Sequence, residues 1–169
     1  MSVDYNQKHR RELEAASRVA QLAGVEHSVK VLRYPWPVMA GPVLPGRNSV
    51  LLMLAASHAA AKSGGDPVRV VIGACAADAA GFVDCRPEYL MAKQRELTLG
   101  LGVDVAVIAP FVDRTKAQIV REARALGAWD AVAASWSCYI GGDVPCGECG
   151  ACKFRAEGFI EAGEVDPWK

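Results

Sequence analysis

The chain has 169 residues, 51% of them hydrophobic, which suits one compact domain with a core of its own and is short for two. Lysine plus arginine and aspartate plus glutamate number 19 each, so no net field draws the protein toward nucleic acid or an anionic membrane, and any bound anion is met locally. The opening MSVDYNQKHRREL lacks the apolar core of a signal peptide, and no apolar run nears the roughly 20 residues of a membrane span, which points to a cytoplasmic protein without a membrane partner.

From Gln7 to Ala23, the residues Leu13, Ala16, Ala20 and Ala23 share one face among charged neighbours, and Gly24 offers a stop, the pattern of a helix. HSVKVLR (27–33) alternates as a strand does. YPWPVMAGPVLPGRN (34–48) holds four prolines and two glycines and reads as a long loop of the kind that often carries function. SVLLMLAASHAAAKSGG (49–65) reads as an alanine-rich helix, and VRVVIGA (68–74) as a buried strand. CAADAAGFVDCR (75–86) reads as a loop, after which Pro87 opens another helix. VDVAVIAP (103–110) is a second buried strand. TKAQIVREARALG (115–127) begins with a capping box between Thr115 and Gln118 and closes on Gly127.

Helices alternating with continuous apolar strands predict an α/β fold built on a mostly parallel, doubly wound sheet covered on both faces, in a single domain over 1–169. Ligands in such folds bind beyond the carboxyl ends of the strands. The loops expected there hold Arg47 and Asn48, then Asp78, Asp84 and Arg86, then Asp113, Thr115 and Lys116. An arginine at a helix start complements phosphate, although Asn48 equally suits a plain N-cap. Asp84 and Arg86 equally suit a surface ion pair. Lys116 stands in the first turn of a helix, where a cation opposes the macrodipole, and a facing anion would relieve that misfit.

Four of the six cysteines cluster: Cys138, Cys146, Cys149 and Cys152 follow C-x7-C-x2-C-x2-C, with glycines at 141, 142, 147 and 150 that let the backbone fold tightly around a small ion. Thiols stay reduced in the cytosol, so metal ligands are favoured over disulfides. A zinc-binding loop over 138–152 is the first reading, and four thiolates leave no position for water, so the ion would be structural. An iron–sulfur cluster and unliganded thiols are the alternatives; the common ferredoxin run has another spacing and a proline where Lys153 stands. Cys75 and Cys85 read as small buried hydrophobes, Cys85 as a nucleophile being disfavoured because no His lies near it in sequence. Trp136 and Tyr139 read as packing around the metal loop rather than base-stacking groups, and Gln7 and His9 as the start of a solvated helix face, the alternative being a place near a site.

The segment SWSCYIGGDVPCGECGACKFRAEGF (135–159) resembles the C-terminal part of the 7-cyano-7-deazaguanine synthases, queuosine-pathway enzymes of adenine-nucleotide alpha-hydrolase-like fold, in which a Trp-Ser-Cys-Tyr start and three further cysteines bind zinc. DYNQKHRRELEAA (4–16), LPGRN (44–48), GFVDCRPEY (81–89) and TKAQI (115–119) are similar to further motifs of that family, in the same order. The resemblance implies conversion of 7-carboxy-7-deazaguanine and ammonia to the nitrile: ATP adenylates the carboxylate, ammonia displaces AMP to give an amide, and a second ATP drives dehydration. It implies ATP and Mg²⁺ beside the structural zinc, a small 7-deazapurine substrate, and substrate or nucleotide contacts for Arg47, Asn48, Asp78, Asp84, Arg86 and Lys116.

The family's Ser-Gly-Gly-x-Asp-Ser pyrophosphate loop has no counterpart; SGGDPV (63–68) follows a helix and precedes a strand, the reverse of the required order. The expectation is therefore an N-terminally shortened member, impaired on its own. A non-catalytic zinc-bearing binding or scaffold subunit is the alternative, and the zero net charge disfavours an RNA-binding module. Asn6 replaces a family glycine, and Ala79 and Ala80 stand where Tyr-Ser is usual. A sheet short of its first strands would leave an unpaired edge, so a homodimer or hetero-complex is expected.

Overall fold

The structure is a computed structural model that describes residues 1–33 and 44–168. Most of the expected proline-rich loop, 34–43, lies outside the described residues. In chain order the elements are β1 (Ser2–Asp4), α1 (Arg11–Leu22), β2 (Val29–Val31), α2 (Arg47–Ser63), β3 (Val68–Val71) and α3 (Ala76–Gly81). A 3-10 turn at Val83–Cys85 follows, then α4 (Pro87–Leu101), β4 (Val105–Ile108), α5 (Lys116–Ala125), α6 (Trp129–Ala134) and α7 (Gly150–Ala162). They form two compact units of α/β structure, one from β1, α1, β2 and α5 to α7, the other from α2 to β4.

In the first unit β1 and β2 pair in parallel, with Ser2 opposite Val29 and Asp4 opposite Val31. Helix α1 starts four residues later than its apolar spacing suggests, because the chain first winds around Gln7. The Tyr5 N–H donates to Gln7 Oε1 at 2.9 Å, and Gln7 Nε2 donates to the Val3 carbonyl at 3.2 Å and to Glu12 Oε1 at 2.8 Å. Asn6 turns the chain at φ +65°, a conformation natural to glycine and tolerated by asparagine. Gln7 and His9 are consequently buried, at 2% and 6% exposure, which corrects the solvated face expected for them. Two helices in the 128–162 region were not legible in the pattern, α6 and α7. Helix α7 packs along α5, and the two approach closely at Gly158: a Cβ there would lie 2.5 Å from the Lys116 Cβ.

The second unit folds around Leu52, Ala56, Val68, Val70, Leu90, Leu97 and Val105. Strands β3 and β4 pair in parallel, Val68 opposite Val105 and Val71 opposite Ile108. Helix α2 packs on β3 and α4 on β4, and α2 and α4 touch each other. Strand β3 is half-buried rather than buried on both faces as expected. Val68 and Val70 enter the core, whereas Arg69 points outward and Val71 is 65% exposed, because both core helices meet the face that Val68 and Val70 present. The segment expected as a loop contains α3 and the 3-10 turn. Pro87 is at the first position of α4, where its missing N–H is harmless.

Side chains from α4 close the outer edge of β4. Thr98 Oγ1 accepts from the Val105 N–H at 3.1 Å, and Gln94 Oε1 accepts from the Val107 N–H at 2.9 Å. These are the backbone groups that alternate with the ones facing β3.

Alanine at two helical glycines should give opposite signs. Gly100 has nothing within 4 Å of the added methyl, so Gly100→Ala should gain up to ~1 kcal/mol from helix propensity. Gly158→Ala gains the same propensity but drives its methyl into Lys116, an overpacking of typically ~1–3 kcal/mol, and should be net destabilising. Urea unfolding of both variants measures the two signs.

Candidate functional site

The four clustered cysteines meet in the first unit. Their Sγ atoms all lie within 4.8 Å of one another, and Cys146 and Cys152 are 3.9 Å apart. A tetrahedral zinc site with Zn–S of about 2.3 Å places its sulfurs about 3.8 Å apart, so the group fits a metal such as zinc. Backbone donors are already aimed at the sulfurs: the N–H groups of Ile140 and Cys146 point to Cys138 Sγ and that of Cys149 to Cys146 Sγ, each at 3.4 Å. Burial raises the Cys138 thiol, but the N–H groups of Cys146 and Ile140 outweigh it and hold this thiol below its ordinary value. Burial, reinforced by neighbouring cysteines, pushes the Cys152 thiol up to about 12. Four thiols this close cannot all ionise unaided, and a bound cation removes that conflict.

The loop rests on the N-terminal turn. Gly141 has φ +81°, and a Cβ there would fall 2.3 Å from the Lys8 carbonyl oxygen, so only glycine fits. Tyr139 meets His9 edge-on with ring centroids 5.9 Å apart, and Arg11 reaches Asp143 at 3.1 Å. Trp136 donates from Nε1 to the Cys138 carbonyl at 2.9 Å and packs edge-on against Trp168. Tyr139 and Trp136 thus both pack around the cysteine loop.

The second unit gathers another set. A short turn after α2 reverses the chain, so the first turn of α2 returns to the end where β3 finishes. There Asn48 Nδ2 lies 3.3 Å from Cys85 Sγ, Arg47 Nη2 lies 3.5 Å from Asn48 Oδ1, and Cys85 Sγ is 3.9 Å from Asp84 Oδ1. Asn48 is buried inside the helix and is not its cap; Gly46 holds that position at φ +70°. Burial first, then the carboxylates of Asp84 and Asp78, push the Cys85 thiol up to about 11, against the opposing pull of Arg47 and Asn48. Asp78 also accepts the Cys75 N–H at 3.0 Å and so caps α3. Arg47, Asn48, Asp78 and Asp84 therefore surround one thiol that the sequence favours as a small hydrophobe over a nucleophile. Arg86 is the exposed residue leading into α4, and Lys116 opens α5 in the other unit. A groove of about 910 Å³ lies at the opposite, amino ends of β3 and β4, beside Arg69, Arg95 and Asp104. Its polar Gln94 and Thr98 are already bonded to β4, which leaves the carboxyl-end cluster as the better candidate.

Residues 37–163 match the family model described as Queuosine biosynthesis protein QueC. The chain belongs to the QueC family. It is 38% identical over 192 residues to the 7-cyano-7-deazaguanine synthase of Synechococcus sp. (strain RCC307), covering 98% of this chain and 84% of that protein. It is 35% identical to the enzyme of that name from Nostoc sp. (strain PCC 7120 / SAG 25.82 / UTEX 2576), over 99% and 83% of the two chains. The 7-cyano-7-deazaguanine synthase of Thermoplasma acidophilum (strain ATCC 25905 / DSM 1728 / JCM 9062 / NBRC 15155 / AMRC-C165) is 34% identical over 99% and 79%. Among the described residues of this QueC chain, no helix is long and apolar enough to cross a membrane.

What fixes the flanks of the QueC cysteine loop is a buried guanidinium that the sequence reading did not single out. Arg155, on α7 just after Cys152, pairs through Nε with both oxygens of Asp166 at 3.0 and 2.9 Å, and through Nη1 with the Ser135 carbonyl at 3.2 Å and hydroxyl at 2.8 Å. Trp168 Nε1 donates to the same Ser135 carbonyl at 3.1 Å. Both charges are buried, at 9% and 6% side-chain exposure. Removing one partner strands the other, so Arg155→Met should cost about 3–5 kcal/mol, and adding Asp166→Asn should recover part of that loss. Denaturant melts of the single and double variants measure it.

Proposed function

We propose that this chain is a 7-cyano-7-deazaguanine synthase, which converts 7-carboxy-7-deazaguanine and ammonia to the nitrile with ATP. The observation that carries the reading is agreement with relatives of that name along nearly the whole chain, joined to a four-cysteine cluster with metal-site geometry. Zinc is its structural ion. ATP and Mg²⁺ meet the Arg47, Asn48, Asp78 and Asp84 group, with Arg86 as a further contact; Lys116, at the start of α5, is read separately as a nucleotide contact on the strength of the family motif alone. A guanidinium in the first turn of α2 suits a phosphate, and carboxylates suit Mg²⁺ or the N–H groups of a guanine-like ring. The same reading includes a single doubly wound, adenine-nucleotide alpha-hydrolase-like domain. It also includes cytoplasmic location, no direct nucleic-acid partner, and assembly as a homodimer or hetero-complex.

Two measurements test it. Metal analysis of the purified protein should find one zinc per chain, lost in Cys146→Ser together with a lower Tm. Iron in its place, or no metal at all, would overturn the zinc assignment. Mass spectrometry of the protein expressed from its full reading frame and supplied with 7-carboxy-7-deazaguanine, ammonia, ATP and Mg²⁺ should show the nitrile, and the 169 residues alone, without the family's pyrophosphate loop, should make far less of it. Arg47→Ala should lower kcat/KM by about 10²-fold if this guanidinium meets developing phosphate charge. Absence of product from protein expressed from its full reading frame, with zinc bound, would overturn the synthase reading.

A further inference from the structure

Cys85 joins two elements that are 37 residues apart in sequence. Cys85 is 6% exposed, and Asn48 beside it is 7% exposed, so the polar groups of both need partners inside the protein. The Asn48 amide donates to Cys85 Sγ at 3.3 Å; the thiol proton is then left for Asp84 Oδ1 at 3.9 Å, and Asn48 Oδ1 accepts from Arg47 Nη2 at 3.5 Å. The links run in one direction, from a guanidinium through an amide and a thiol to a carboxylate. Each contact is long, so the chain orients these groups more than it binds them together.

We infer that Cys85 is a positioning residue for the proposed site, its neutral thiol bridging Asn48 to Asp84 and so fixing the first turn of α2 against the turn at Val83–Cys85. The chemistry requires the protonated form, because a thiolate facing the carboxylates of Asp84 and Asp78 would be repelled and could not donate. With its thiol raised to about 11, Cys85 keeps its proton at neutral pH. That same protonation makes it a poor nucleophile and separates this role from covalent catalysis. An alanine would fill most of the space but leave the buried Asn48 amide without its acceptor. A serine hydroxyl can both accept and donate. The inference rests on the reading of Arg47, Asp78 and Asp84 as site residues.

The test uses the whole protein and the variants Cys85→Ala, Cys85→Ser and Asn48→Ala. Amide hydrogen exchange should quicken in residues 47–52 and 83–90 together in Cys85→Ala, and should return toward the wild-type rate in Cys85→Ser. The synthase kcat/KM should fall about 10-fold in Cys85→Ala, mostly through KM, and recover in the serine variant. In a double-mutant cycle on unfolding, Cys85→Ala with Asn48→Ala should destabilise less than the two single effects combined. Additive losses, unchanged exchange in either segment, or a serine variant no better than alanine would overturn the bridge and leave Cys85 a packing residue. A wild-type protein that turns nothing over would sink the synthase reading, while exchange and the cycle would still decide the bridge. Should Cys85→Ala not fold, Asn48→Ala breaks the same bond from its other side, and the same two segments must then exchange faster.

Discussion

The buried ion pair between Arg155 and Asp166 is the constraint on which the C-terminal part of this molecule depends. A loop rich in glycine and cysteine, with Ile140 and Val144 turned to solvent, buries little apolar surface with which to hold its own shape. Here its two ends are held from outside: Arg155 grips Ser135 before the first cysteine and itself follows the last one on α7. The pair is directional, which an apolar contact of equal size would not be, and direction is what a set of four sulfurs needs if they are to converge. The tail after α7 belongs to the same arrangement, since Asp166 supplies the counter-charge and Trp168 shares the Ser135 carbonyl.

The cysteine loop also joins the two ends of the sequence. Gly141 lies against the Lys8 carbonyl, Tyr139 against His9 and Asp143 against Arg11, contacts that span most of the chain. Closing so long a stretch of chain carries an entropy cost that these contacts help to offset. The turn around Gln7 presents the surface against which the loop rests, and it is held by an amide that satisfies three partners within a few residues.

Much of this was legible in the sequence where the signal is local. The spacing of Cys138, Cys146, Cys149 and Cys152 announces their convergence because ligand chemistry fixes it directly. Helices α1, α2, α4 and α5 follow from apolar periodicity, from Pro87 at a first turn and from stops such as Gly24 and Gly127, and the parallel pairing of β3 with β4 follows from their alternation with helices. Helix α7 was hidden because its first turn is written in glycine and cysteine for the metal loop and not for helix propensity. Strand β1 was hidden by its length of three residues. The burial of Gln7 and His9 arises from side-chain to backbone bonds that leave no periodic trace. The meeting of Arg47, Asn48, Asp78 and Asp84 depends on the chain reversal after α2, and the partner that turns Cys85 from a hydrophobe into a bridge lies 37 residues away.

The outer edge of β4 has one more consequence. An edge strand normally offers a row of free backbone donors, a template on which another chain can crystallise into β-structure. In this protein Gln94 and Thr98 occupy those donors with side chains from a helix that must be present for the core to exist at all. Guarding against aggregation is thereby coupled to folding itself: the template is masked whenever α4 is docked, and becomes sticky only in molecules that have begun to unfold there.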